Sequence, residues 1–274
     1  MCGNDPLLTT PPGMRAAGAR FGATQPPELS IRFPVHAKLG RRGLLAAGVM
    51  GLAAVLSPRR SGAANTMKRV VLLGDSVFDN GAYVGTDPDV VHQLRQLLPE
   101  GWGADLNARD GAVMADIPAQ MRSLPADATH LVISVGGNDA LLQAGVLEEG
   151  AGSVADALDR LAAVRESFHR GYAAMLEHVL SRRLPTAVCT IYDPRYPERR
   201  LRKIAATALT LLNDAITREA FARGATLIDL RLICNRDEDF ANPIEPSARG
   251  GAKIAQAILS FVREKKPSSA VIAN

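Results

Sequence analysis

From Met67 onward, short apolar segments alternate with longer segments whose apolar residues recur every three or four positions. Short apolar runs are typical of strands buried on both faces, and the three-to-four spacing is typical of amphipathic helices. Five strands are predicted over residues 69–73, 104–108, 130–135, 186–192 and 225–228. Helices are predicted over residues 88–98, 114–122, 153–182, 198–223 and 248–263. This alternation predicts a parallel sheet covered by helices on both faces, within one α/β domain over residues 67–274.

The first 66 residues differ in charge from the rest of the chain. They carry 8 Lys+Arg and 2 Asp+Glu, a net charge of +6, whereas residues 67–274 carry 24 and 26, a net charge of −2. The domain therefore lacks the basic excess of a nucleic-acid-binding protein, and no nucleic-acid partner is expected. Residues 1–37 are rich in Pro, Gly and Ala, and their apolar residues show no regular spacing typical of a helix or a strand. This composition predicts disorder.

The segment that follows has the order of an export signal. Arg41-Arg42 precedes an uncharged apolar run that ends at Leu56, and small residues follow at 62–64. This order favours a twin-arginine-type signal, and a run of about 14 residues is shorter than the roughly 20 of a membrane span. Arg59-Arg60 after the run does not fit a signal. The alternative is that translation starts at Met67, which would give a cytoplasmic protein with a misread leader.

The three cysteines, Cys2, Cys189 and Cys234, have no metal-ligand spacing. We therefore expect neither a metal nor another cofactor. Cys189 lies in an apolar run and is predicted to be a small core residue. A disulfide between Cys189 and Cys234 requires neighbouring strands, and the sequence leaves it open.

The first predicted strand ends in a turn that carries a serine. Val70 to Leu73 form an uninterrupted apolar run, Gly74 allows a sharp turn, and Ser76 follows. Ligands of open α/β sheets gather at the carboxyl ends of the strands. The Ser76 hydroxyl is therefore a candidate nucleophile, and the alternative is a serine that caps a helix.

Two further turns follow the second and third predicted strands, at 107–111 and 136–139. In a doubly wound sheet all three turns would lie at one edge. The side-chain amide of Asn138 and the backbone N–H groups of Gly111 and Ser76 could then stabilise an oxyanion formed when the serine attacks a carbonyl.

These turns carry a resemblance to a known family. Gly74-Asp75-Ser76-Val77, Gly111 and Gly136-Gly137-Asn138-Asp139 resemble the first three sequence blocks of the SGNH hydrolases, also called the GDSL esterase/lipase family. The resemblance covers about residues 68–264. It implies a flavodoxin-like three-layer α/β/α sandwich with strand order 2-1-3-4-5, and hydrolysis of acyl esters through an acyl-serine.

The resemblance also implies roles for individual residues. Ser76 corresponds to the family's nucleophile, and Gly111 and Asn138 correspond to its oxyanion-hole donors. Asp75 and Asp139 are expected to support the site by accepting backbone N–H groups in the turns.

The fourth block of the family, Asp-x-x-His-Pro, is altered. Asn242 stands at the aspartate position and Glu245 at the histidine position, and no histidine follows His178. Glu245 is the best candidate base, provided that burial or a nearby negative charge raises its pKa. A neutral Asn242 suits this arrangement, because an aspartate would repel Glu245. The alternative is that Glu245 is a first-turn acid of the last helix.

The favoured function is a serine ester hydrolase with Ser76 as nucleophile and Glu245 as a non-standard base, acting on a small-molecule or acylated substrate. The main alternative is an inactive or weakly active protein that binds an acyl or glycan ligand. Transfer of the acyl group to an acceptor other than water is a third possibility. The sequence leaves the acyl length and the oligomeric state open.

Overall fold

The computed structural model of the protein describes residues 67–263 and 271–272. The predicted disorder and export signal lie outside these residues and stay predictions. Within the described part, no helix has both the length and the apolar character needed to cross a membrane.

Parallel strands form a single sheet in the order β2-β1-β3-β4-β5-β6. The strands are β1 (Lys68–Gly74), β2 (Trp102–Leu106), β3 (Ala128–Ser134), β4 (Thr186–Cys189), β5 (Thr226–Ile228) and β6 (Val271–Ile272). The predicted order 2-1-3-4-5 is confirmed. The strand β6 was not predicted, because two residues are too few to show a period. The strand β2 begins two residues earlier than predicted, and only Ala104 in it is buried.

Helices cover both faces of the sheet. They are α1 (Val90–Leu97), α2 (Ile117–Arg122), α3 (Gly137–Leu142), α4 (Val154–Leu180), α5 (Arg199–Ala222), α6 (Leu230–Ile233) and α7 (Ala248–Arg263). The sequence did not predict α3 or α6. The helix α3 has no buried residue and α6 has only four residues, so neither shows an amphipathic period.

The strand β1 shows how the three layers form. Val70 and Leu72 pack into the apolar cluster that contains α1 and α7, whereas Val71 and Leu73 pack into the cluster that contains α2, α4 and α5. All four side chains are fully buried. Successive side chains of a strand point to opposite faces, so a strand covered on both sides must be apolar throughout. The predicted three-layer sandwich is confirmed.

Both cysteines of the described domain are buried free thiols. Cys189 lies in β4 and Cys234 follows α6, and the disulfide that the sequence left open is not formed. Burial raises the pKa of the Cys234 thiol to about 12. In the described residues no group of His, Cys, Asp or Glu has a geometry that could hold a metal ion.

Candidate active site

The turn that carries Ser76 begins at a glycine that no other residue could replace. Gly74 has a φ of +127°, and a Cβ there would lie 1.7 Å from the carbonyl oxygen of Ser134. The side-chain amide of Gln120 fixes the backbone of Gly74 through two hydrogen bonds. It accepts the N–H of Gly74 at 2.7 Å and donates to the carbonyl of Gly74 at 2.8 Å. Ser76 is thereby held at the carboxyl end of β1.

The Ser76 hydroxyl meets the carboxylate of Glu245. Ser76 Oγ donates to Glu245 Oε1 at 3.0 Å across 169 positions of sequence, and the two residues are 7% and 6% exposed. The last helix, α7, begins at Ala248, and the Ser247 hydroxyl accepts a backbone N–H of its first turn. Glu245 therefore lies before this helix, with its carboxylate directed to Ser76 and not to the helix terminus.

Asn242 holds the turn that presents Glu245. Its side-chain oxygen accepts the backbone N–H groups of Ile244 at 3.0 Å and of Glu245 at 2.9 Å. This is the local arrangement that asparagine and aspartate favour in turns. Asn242 thus has a structural role that the sequence analysis, which considered only its neutrality, did not identify.

Two buried side chains from elsewhere in the fold hold the flanks of this turn. The Tyr192 hydroxyl donates to the carbonyl of Ile244 at 2.6 Å, and Asn80 Nδ2 donates to the carbonyl of Pro246 at 3.2 Å. Asn80 also accepts the N–H of Val90 at 3.0 Å, so it connects the turn to the start of α1. Sequence reasoning missed both residues, because a single Tyr or Asn in a loop belongs to no recognisable pattern.

Burial raises the pKa of Glu245 to about 7. The hydrogen bond from Ser76 opposes this shift, and the negative charge of Asp110 adds to it. Within the described residues, Glu245 Oε2 is buried and has no hydrogen-bond partner. A carboxyl group with a pKa near neutrality is a stronger base than an ordinary one.

Asp75 is a second buried carboxyl group in this site. Its Oδ1 accepts the N–H of Val77 at 3.1 Å, as expected for a residue that fixes the turn. Burial raises the pKa of Asp75 to about 7, opposed by this hydrogen bond and supported by the charges of Glu245 and Asp139. The folded protein therefore binds a proton more tightly than the unfolded chain, and the free energy of unfolding should fall as pH rises from about 4 to about 7.

We expect Asp75→Asn to remove this penalty, because asparagine keeps the acceptor for Val77 and cannot ionise. At about pH 8 the variant should be more stable than the wild type by on the order of 2 kcal/mol, and at about pH 4 the difference should be small. Urea unfolding at both pH values measures this. Asp159→Asn, at an exposed position of α4, is the control. Equal destabilisation by Asp75→Asn at both pH values would contradict the prediction.

Three N–H donors lie in the turns predicted to form an oxyanion hole. Within the described part of the chain, the backbone N–H groups of Ser76 and Gly111 donate to no protein acceptor. Gly111 has a φ of +78°, which favours glycine, and open space surrounds the position of a Cβ. Asn138 Nδ2 donates to the carbonyl of Ala112 at 2.9 Å, which leaves the second proton of its amide free for a ligand.

A cleft opens at Ser76 and has a volume of about 170 Å³. Ser76, Asn138, Glu245 and Asp75 belong to its lining, and Gly111 lies outside the lining. The walls come from α3, the 3-10 helix at 144–148, α4 and α5, and are mostly apolar. The cleft was not predicted from the sequence.

Comparison with known proteins identifies the family. The sequence profile described as "GDSL-like Lipase/Acylhydrolase family" matches residues 72–253, which is more than half of the chain. The chain belongs to the GDSL, or SGNH, hydrolase family. A comparison with curated proteins gives no match.

Solved structures share the fold of this SGNH hydrolase. An extracellular lipase from Streptomyces rimosus is 18% identical with a TM-score of 0.53, and the match covers 71% of this chain and 98% of the lipase. A phospholipase A1 from Streptomyces albidoflavus is 17% identical with a TM-score of 0.53, over 73% of this chain and 100% of that one. An acetyl xylan esterase is 18% identical with a TM-score of 0.53, over 71% and 99% of the two chains.

No histidine of the described part of this SGNH hydrolase contacts Ser76. His92 pairs with Asp89, His169 pairs with Glu219, His130 packs against aromatic rings near the start of β3, and His178 lies in the last turn of α4. Burial, together with the charge of Lys68, lowers the pKa of His130 to about 4. Glu245 is therefore the titratable side chain that the fold brings to the Ser76 hydroxyl.

Proposed function

We propose that this SGNH hydrolase is a serine ester hydrolase with Ser76 as nucleophile and Glu245 as general base. The hydrogen bond of 3.0 Å from Ser76 Oγ to Glu245 Oε1 carries this proposal. A nucleophilic hydroxyl needs a base within hydrogen-bond reach, and the raised pKa of Glu245 suits that task near neutral pH. No cofactor is needed for the steps that follow.

In the first half-reaction, Ser76 Oγ attacks the carbonyl carbon of the ester while Glu245 accepts the hydroxyl proton. The negative charge that develops on the carbonyl oxygen is stabilised by the N–H groups of Ser76, Gly111 and the Asn138 side chain. The bond to the alcohol oxygen then breaks, and protonated Glu245 donates its proton to that oxygen. The products are the free alcohol and an acyl-serine.

In the second half-reaction, water attacks the acyl-serine and Glu245 accepts a proton from it. The same N–H donors stabilise the second oxyanion. The bond between the acyl carbon and Ser76 Oγ breaks, and Glu245 returns its proton to the serine. The acid is released, and Ser76 and Glu245 regain their initial states.

Asn242 is a positioning residue in this mechanism, because it accepts the N–H of Glu245. Asn242→Ala should lower kcat/KM about tenfold through loss of the turn. Asn242→Asp keeps the acceptor but adds a negative charge, so we expect the midpoint of the pH–rate profile to move to higher pH. Steady-state kinetics between about pH 5 and 9 separate the two effects. Identical profiles for both variants and the wild type would contradict the role of Asn242.

The second candidate function is binding of an acyl or glycan ligand without turnover. The observation that favours it is the lack of an imidazole against Ser76 in the described residues, since a carboxylate of ordinary pKa is a weaker base than an imidazole. A fluorophosphonate probe distinguishes the two functions, because it modifies only a serine that reacts as a nucleophile. Mass spectrometry that locates the adduct on Ser76 supports the hydrolase, and an unmodified, folded protein favours the binding function.

A further inference from the structure

The cleft at Ser76 is lined mostly by apolar side chains. Its walls include six aliphatic side chains: Val146, Leu161, Val164, Ala205, Ala208 and Leu209. The same lining includes Ser76 and Glu245, which are joined by a hydrogen bond, and Asn138. A mostly apolar lining that includes a few polar groups is the arrangement that binds a ligand with a polar reactive group and an apolar body.

The helices that form the walls project beyond the buried core. In α4 no residue before Phe168 is buried, and in α5 none before Leu212 is buried. Fourteen residues of α4, Val154 to Ser167, therefore extend over about 21 Å, and each of them is at least partly exposed to solvent. Side chains that line the cleft on these segments are apolar yet remain in partial contact with water, so an apolar ligand would complete their burial.

Several large apolar side chains on the elements that line the cleft are exposed. Leu141, Leu147 and Leu201 line it and are 44%, 37% and 42% exposed. Leu142 and Leu158, on α3 and α4, are 75% and 58% exposed. A patch of this kind next to a pocket is typical of a surface that receives an apolar ligand.

We propose that the cleft binds the aliphatic acyl chain of a medium- or long-chain ester. The proposal rests on the proposed hydrolase function and adds to it the substrate class. Acetyl esters leave the cleft empty and are poor substrates. Esters with an acyl chain of eight carbons fill it.

Hydrolysis of p-nitrophenyl octanoate and p-nitrophenyl acetate by the full chain tests the proposal. Each methylene group buried in the cleft raises kcat/KM about fourfold, so burial of only three methylene groups raises kcat/KM about sixtyfold. We therefore expect the octanoate to exceed the acetate by at least about thirtyfold in kcat/KM. Assays stay below the solubility limit of the octanoate.

Ala208→Trp places a large side chain in the cleft and is expected to lower the octanoate-to-acetate ratio at least about tenfold. A circular dichroism spectrum that matches the wild type shows that the variant is folded. Thr207→Trp is the matched control, because Thr207 lies next in sequence on α5, is exposed and does not line the cleft. It should leave the ratio unchanged within about twofold.

A binding measurement separates failure of this proposal from failure of the hydrolase function. Calorimetric titration of Ser76→Ala with the two esters should show tighter binding of the octanoate, whether or not the wild type turns it over. Equal binding of both esters, or a wild type that prefers the acetate, would overturn the acyl-chain proposal and leave the hydrolase function intact. Absence of Ser76-dependent hydrolysis with preferred binding of the octanoate would overturn the hydrolase function alone.

Discussion

Ser76→Ala is expected to lower kcat/KM for a short-chain p-nitrophenyl ester by at least about a thousandfold. Alanine removes the oxygen that attacks the ester and leaves the turn intact, because that turn is held by Gln120 and Asp75 and not by the serine hydroxyl. Release of p-nitrophenol, followed by absorbance, measures the effect.

The matched control for this substitution is Ser134→Ala. Ser134 is a buried serine, 4% exposed, that lines the same cleft and is the last residue of the neighbouring strand β3. It touches no proposed reacting atom, so its replacement should change kcat/KM by less than about threefold. Wild-type activity in Ser76→Ala would contradict the proposed nucleophile.

Glu245→Gln is expected to lower kcat/KM by about a hundredfold to a thousandfold. Glutamine has nearly the same size and can still accept a hydrogen bond from Ser76, but it cannot take up the proton. The variant therefore isolates the contribution of the base from that of packing. The same assay of ester hydrolysis measures the loss.

The pH dependence gives an independent test of Glu245. A general base acts in its ionised form, so with a pKa of about 7 the wild-type kcat/KM should rise with pH up to about 7 and then level off. An ordinary glutamate would level off near pH 5. Asp110→Asn should move the midpoint to lower pH, because the charge of Asp110 raises the pKa of Glu245.

The profile of Glu245→Gln should lose this rise. The midpoint belongs to the coupled pair of Asp75 and Glu245 when both groups titrate near the same pH, and Asp75→Asn isolates the part due to Glu245. A rise near pH 7 that persists in Glu245→Gln would assign the titration to another group and contradict the proposed base.

Much of the fold was predictable because the spacing of apolar residues within a strand or helix is visible in the local sequence. The alternation of apolar runs and amphipathic helices predicted the parallel sheet, and the order 2-1-3-4-5 followed from the family resemblance and is confirmed. The elements that were missed, α3, α6 and β6, are short or have no buried face. The wall helices were predicted, but the cleft between them depends on how they pack.

The candidate site divides in the same way. The sequence by itself determined which residues follow the strand ends, including Ser76 and Asn138, because chain order and strand direction place those turns at one edge of the sheet. Only the tertiary structure decided that Glu245 meets Ser76, that Asn242 holds its turn and that burial raises its pKa. These properties depend on side chains that are distant in sequence and on solvent exclusion, and neither produces a local pattern.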